Sequence, residues 1–216
     1  MPAHVAVLSL AVLPATGREI HDRLAQLRED REIRVVVIDA TEDNVPELTF
    51  DARSLRDIAL FELPIVFAFE GTLRGAAAEL SLAADIRVCS EAAALQGRLT
   101  ANARARTLVA EATALKLFIG REPLAAAELL AAGLVSSVTA VGMALAEARR
   151  IADVIASRGP IATRLAKEAI WRGLPQPLDQ ALRFETDLTL LLQTTKDRAE
   201  GVRAFLEKRP PNFTGE

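Results

Sequence analysis

The 216-residue chain contains no tyrosine, one tryptophan, one cysteine, two methionines and two histidines. A single cysteine excludes an intrachain disulfide and leaves no thiolate cluster for a metal. Cys89 falls in a β-branched run, where a thiol behaves as a small core residue rather than a nucleophile. His4 lies at the start of the chain and His21 among charges on an amphipathic segment, so no metal site is expected. Aromatics make up 4% of residues, too few for a base-stacking platform, and the net charge of −3 gives no electrostatic footprint for nucleic acid. No apolar run is long enough to span a membrane. The segment VAVLSLAVLPA has no basic residues ahead of it and reads as a first strand rather than a signal sequence. A cytoplasmic protein with no membrane contact is the expectation.

What is present suits an ordinary globular chain of one domain, with half its residues hydrophobic and a quarter charged. Val5 to Val12 predicts a buried strand. Thr16-Gly17-Arg18-Glu19 is a capping box, and Ile20, Leu24 and Leu27 follow at helical spacing. Arg34 to Ala40, RVVVIDA, reads as a parallel strand covered on both faces, which completes a βαβ unit. A helix over 52–61 then leads to Pro64 and a third strand at Ile65 to Phe69. A fourth strand at Ile86 to Val88 and short ones at Ala93–Gln96 and Leu134–Val138 are also expected. Helices are predicted over 143–157, 160–172 and 177–193. A last one starts at the box Thr194-Thr195-Lys196-Asp197 and carries Val202, Phe205 and Leu206 on one face. The expected division is an α/β core over 1–138 and a helical region over 139–216, within a single domain.

One stretch is chemically pointed: EGTLRGAAAELSLAADIRVCS, residues 70–90. Two glycines, Gly71 and Gly75, open an Ala/Leu helix over 76–84 in which Glu79 is the one ionisable residue. A helix apolar on every side is normally buried, and a carboxylate carried into it is costly unless paired or functional. The glycine-rich entry leaves backbone N–H groups free at the helix start, a site for an anion or a developing oxyanion. The structural alternative is a buried carboxylate paired to Arg74 or Arg87.

These residues carry a resemblance. EGTLRGAAAELSLAADIRVCSEAAALQG resembles the signature of the crotonase superfamily, which includes enoyl-CoA hydratases and isomerases. IRVVVIDA, GREPLAAAELLAAGLVSSV and TTKDRAEGVRAFLEKRPPNF match further family stretches in the same order. The resemblance implies a core of repeated ββα units, with C-terminal helices that form trimers or dimers of trimers. It also implies a coenzyme A thioester as substrate, with no separate cofactor. In the family, two backbone N–H groups hold the thioester oxygen as an enolate forms. One falls on Ala76, with Gly75 before it; the other falls on the weakly matching LTFDARSL stretch, at Ala52 or Asp51. The first catalytic glutamate falls on Glu79, and Lys208 matches a lysine that reaches the coenzyme A of a neighbouring subunit.

The sequence departs from the pattern in places. The second glutamate position, twenty residues after the first, is Leu99, and a hydrocarbon transfers no protons. The N-terminal coenzyme A segment is replaced by LAVLPATGRE, and the glycine-rich helix start after Leu99 by ANARARTL. Arg98, Arg104 and Arg106 there are read as a solvated face. Two functions follow: an enzyme using Glu79 alone for enolate chemistry on an acyl thioester, or a non-catalytic accessory subunit that binds a partner enzyme.

Overall fold

Five parallel strands run in chain order across one sheet, in the computed structural model of residues 4–12, 16–42, 47–97, 108–120 and 122–216. They are β1 (Val5–Ser9), β2 (Val35–Ala40), β3 (Ile65–Phe69), β5 (Ile86–Ser90) and β8 (Ser137–Thr139). Parallel neighbours require crossovers. Between β1 and β2 runs α1 (Gly17–Glu29), and between β2 and β3 runs α2 (Ala52–Ala59). After β3 the chain makes β4 (Thr72–Leu73) and then α3 (Gly75–Ala83); after β5 it makes β6 (Ala94–Leu95) and, further on, α4 (Glu111–Ile119). This strand, short strand, helix order is the ββα repeat. The short strands gather with β7 (Leu124–Ala125) into a second sheet of order β4-β6-β7, and α5 (Ala126–Ala131) leads into β8.

The composition of β2 and β3 explains the layers. Every residue of both strands is buried, because helices cover both faces of the sheet. Val36, Ile38, Ile65, Phe67 and Phe69 point into one core with α1, α2 and α3. Val35, Val37, Val66, Ala68 and Val88 point into the other. That second face is closed by α6 (Ala144–Ala156), whose Ala144, Ala148, Ala152 and Ala156 recur at helical spacing and let the helix lie close on the valines. Glu70 caps this helix from a distance, accepting from the N–H groups of Gly142 at 2.9 Å and Ala144 at 3.2 Å. The chain continues through α7 (Pro160–Gly173), α8 (Leu178–Gln193) and α9 (Lys196–Glu207).

Local signals hold where no distant group competes. The Thr16 box forms, with Glu19 N–H donating to the Thr16 hydroxyl and Thr16 N–H to the Glu19 carboxylate. Three expectations shift. The first strand stops at Ser9, because Ala11 N–H and Val12 N–H turn back onto Ser9. The last strand starts at Ser137, since Leu134 and Val135 N–H groups bond Leu129 at the end of α5, past Gly133 at φ +72°. The Thr194–Asp197 box does not form: Thr195 is the cap, accepting from Arg198 N–H at 3.1 Å. Asp197 instead accepts from the tail amides of Thr214 at 2.7 Å and Gly215 at 3.0 Å.

Candidate active site

The site begins at the head of α3. Gly75 has φ +53°, a conformation that side chains with a Cβ adopt at a cost. A Cβ there would meet nothing within 4 Å, so the requirement is conformational, not spatial. The preceding Arg74 provides no capping side chain; its Nε donates to Gln96 Oε1 at 3.0 Å. Ala78 N–H makes the first bond of the helix, to Arg74 O at 3.4 Å. The N–H groups of Gly75, Ala76 and Ala77 lie ahead of it, where a helix has no acceptors of its own. Gly75 and Ala76 are half-buried.

From Ala77 to Ala83 every residue of α3 is buried, and Glu79 is 6% exposed. Arg87 anchors the other end of the helix. Its Nη1 donates to Ala84 O at 2.7 Å and Ser81 O at 3.2 Å, and its Nε to Leu134 O. Burial brings its guanidinium down to about 10. A cation on the last carbonyls complements the helix dipole. The hydrogen bonds of Arg74 and Arg87 therefore go to groups other than Glu79.

Glu79 faces a cavity of about 940 Å³ between α2, α3 and α7. Leu55, Ala59, Leu60, Ile170, Trp171 and Leu174 form apolar walls, with Ile86 and Ile155 beyond. Ala52, the first residue of α2, lines the same space. Its helix is capped by Asp51, which accepts from Ser54 N–H at 2.6 Å, and that bond lowers the Asp51 pKa. Glu79 and Ala52 thus meet at one cavity, and Ala76 and Gly75 stand one turn before Glu79 on α3. Lys208 is elsewhere, at the exposed C-cap of α9 with φ 54°. Leu99, Arg98, Arg104 and Arg106 lie outside the described residues.

The structure adds three residues that the sequence reading passed over. Asp85 Oδ2 accepts from Lys167 Nζ at 2.6 Å and from Ile65 N–H at 2.8 Å, and Oδ1 accepts from Trp171 Nε1 at 3.1 Å. Lys167 also donates to Leu63 O at 3.0 Å. All three side chains line the cavity. The available signal was the four-residue spacing of Lys167 and Trp171, which places them on one helix face; their partner lies too far back in the chain to be inferred. Asp85 lies past the end of α3, six residues after Glu79, and both of its carboxylate oxygens accept hydrogen bonds.

Among the described residues no group of three His, Cys, Asp or Glu is placed to hold a metal ion, and no helix is long and apolar enough to cross a membrane. The arrangement can stabilise an oxyanion at helix N-termini and move a proton at Glu79.

A family model described as enoyl-CoA hydratase/isomerase matches residues 49–216. The chain is 33% identical to the mitochondrial enoyl-CoA hydratase domain-containing protein 2 of Bos taurus, over 92% of this chain and 78% of that protein. It is 29% identical to the (E)-benzylidenesuccinyl-CoA hydratase of Thauera aromatica, over 98% of this chain and 96% of that enzyme. Among solved structures, the enoyl-CoA hydratase of Bacillus anthracis superposes with a TM-score of 0.84 at 29% identity, covering 97% of this chain and 91% of that one.

Proposed function

The chain belongs to the enoyl-CoA hydratase/isomerase family, with its crotonase fold, and we propose that it acts on an acyl-CoA, or on a carrier-bound acyl thioester, through an oxyanion-stabilised enolate. The observation that carries this is the position of Glu79: buried on α3, facing the cavity, one turn inside a helix whose leading N–H groups are at Gly75 and Ala76.

In this reading the thioester oxygen accepts from Ala76 N–H and, across the cavity, from Ala52 N–H. For double-bond isomerisation the Glu79 carboxylate takes a proton from the α-carbon of a β,γ-enoyl thioester. The C–H electron pair moves into the carbonyl to give the dienolate, and Glu79 returns the proton at the γ-carbon. In decarboxylation the enolate forms instead as the C–C bond breaks and CO2 leaves. In hydration it forms as water adds to the β-carbon, with Glu79 taking the water proton and passing it to the α-carbon. Donors aimed at the developing oxyanion contribute the largest share, about 10²–10³-fold each. With Leu99 at the second glutamate position, double-bond isomerisation, decarboxylation or slow hydration suits the site better than two-acid hydration. A panel of enoyl-, malonyl- and β-hydroxyacyl-CoAs tests this. Turnover that Glu79→Gln abolishes supports it, whereas no turnover with any of them ends it.

The same reading includes a homotrimer or dimer of trimers, in which Lys208 reaches a neighbour's coenzyme A. It also includes a cytoplasmic setting, to be checked by fractionation. The exposed faces of the C-terminal helices, with Phe205 at 81% and Leu206 at 73%, also support a second reading as an accessory subunit that binds a partner enzyme. Co-purification of that enzyme, with no binding of coenzyme A, would favour it.

A further inference from the structure

Three cavity-lining residues follow one another along α3 and past its end: Glu79, Ala83 and Asp85. Ala76, the proposed oxyanion donor, precedes them. A thioester held at Ala76, with its α-carbon at Glu79, has this line of the cavity wall before its acyl chain, toward Asp85. At the α-helical rise, Ala76 to Ala83 spans about 10 Å, the reach of roughly eight carbons of extended acyl chain. The space agrees: about 940 Å³ lies at the upper end for a ligand pocket and far exceeds what a four-carbon acyl group fills.

The far end of the line is polar, and its charges are already paired. The Lys167 ammonium there is already neutralised by Asp85 at 2.6 Å and held by Leu63 O, with the Trp171 indole beside them on the same carboxylate. An acyl group ending in a carboxylate would bring a second anion toward Asp85 among apolar walls, which is unfavourable. Arg56, the other cation among the described residues of the wall, is solvent-exposed and offers only a screened contact.

We infer that the cavity selects an uncharged, apolar acyl group of roughly eight carbons, and that the Asp85–Lys167 pair closes its end to acyl groups with a terminal carboxylate. This rests on the thioester reading of the site given above.

The test is binding of butyryl-, octanoyl- and suberoyl-CoA to the full chain by calorimetry, read together with emission from Trp171, the one tryptophan. Each buried methylene adds about fourfold in affinity, so octanoyl-CoA should bind at least about tenfold more tightly than butyryl-CoA. It should alter Trp171 emission where butyryl-CoA does not. Suberoyl-CoA, the same length with a terminal carboxylate, should bind at least about tenfold more weakly than octanoyl-CoA. In Asp85→Asn the suberoyl-to-octanoyl ratio should rise, because the lysine loses its counter-charge. Equal affinity for butyryl- and octanoyl-CoA, or a preference for suberoyl-CoA in the unmodified chain, overturns the inference while leaving the thioester reading intact. Failure of all three and of free coenzyme A to bind would sink that reading, and the inference with it.

Discussion

Lys167 and Asp85, 82 residues apart, meet at 2.6 Å and fasten α7 to the end of the helix that carries Glu79. With Trp171 and Leu63 in the same network, the contact lies on the wall of the cavity. Both side chains are largely buried, so removing one partner leaves an uncompensated charge. Lys167→Met should lower the unfolding free energy by about 2–4 kcal/mol, measured by urea denaturation. A change below about 0.5 kcal/mol, the range of ordinary surface substitutions, would mean the pair is not fastening the helix.

Glu79→Gln keeps the shape of the buried side chain and removes its proton transfer. Turnover of whichever thioester proves to be the substrate should fall by about 10²–10⁴-fold, with KM little changed. Circular dichroism and Tm should stay close to the unmodified protein. A variant that turns over normally would show that Glu79 is a structural acid.

Gly75→Ala places a Cβ at φ +53°, in open space but in a strained conformation. Stability should fall by about 1–2 kcal/mol. Because the strain sits next to the Ala76 N–H, kcat should fall more than KM rises. Full stability and activity would show that the glycine is dispensable.

Cys89 gives a pH signature. Burial, with Glu70 nearby, pushes its thiol up to about 11 from the usual 9.0. The unfolded chain loses this proton at lower pH than the folded one. The neutral thiol's contribution to stability is therefore complete below about pH 9 and lost as pH rises through 11. Urea midpoints between pH 8 and 11 should fall less steeply for Cys89→Ala. In the native protein at pH 8, a thiol reagent should react only at the rate of unfolding; immediate labelling would contradict the burial.

Phe205 and Leu206 stand out from α9 and are largely exposed. If the chain assembles as proposed, Phe205→Ser with Leu206→Ser should convert the assembly to monomer by light scattering, without loss of helix content. An unmodified chain that is monomeric at micromolar concentration would remove the trimer from the proposal.

The βαβ start, the buried strands and the apolar character of α3 were legible because each is written in neighbouring residues. The ββα succession was expected only from the family resemblance, and its short strands β4 and β7 were not read from the sequence. Between Arg34 and Asp39 the strand has no polar face to expose, and GAAAELSLA has no polar side beyond Glu79 and Ser81. The two capping boxes show where this fails. Their local patterns are alike, yet Thr16–Glu19 forms, whereas Asp197 is drawn away by the amides of Thr214 and Gly215. A side chain with two possible partners takes the one that tertiary packing brings to it.

From the chain alone came the family resemblance, carried by four stretches in order between residues 33 and 213, and, from spacing within a dozen residues, the buried acid at Glu79 and the helix start at Gly75 and Ala76. Folding alone could bring Ala52, Glu79 and Trp171 around one cavity and set Lys167 against Asp85. Those contacts join residues of two crossovers of the sheet to α7, which follows the last strand, and no local propensity specifies which helix faces will meet there.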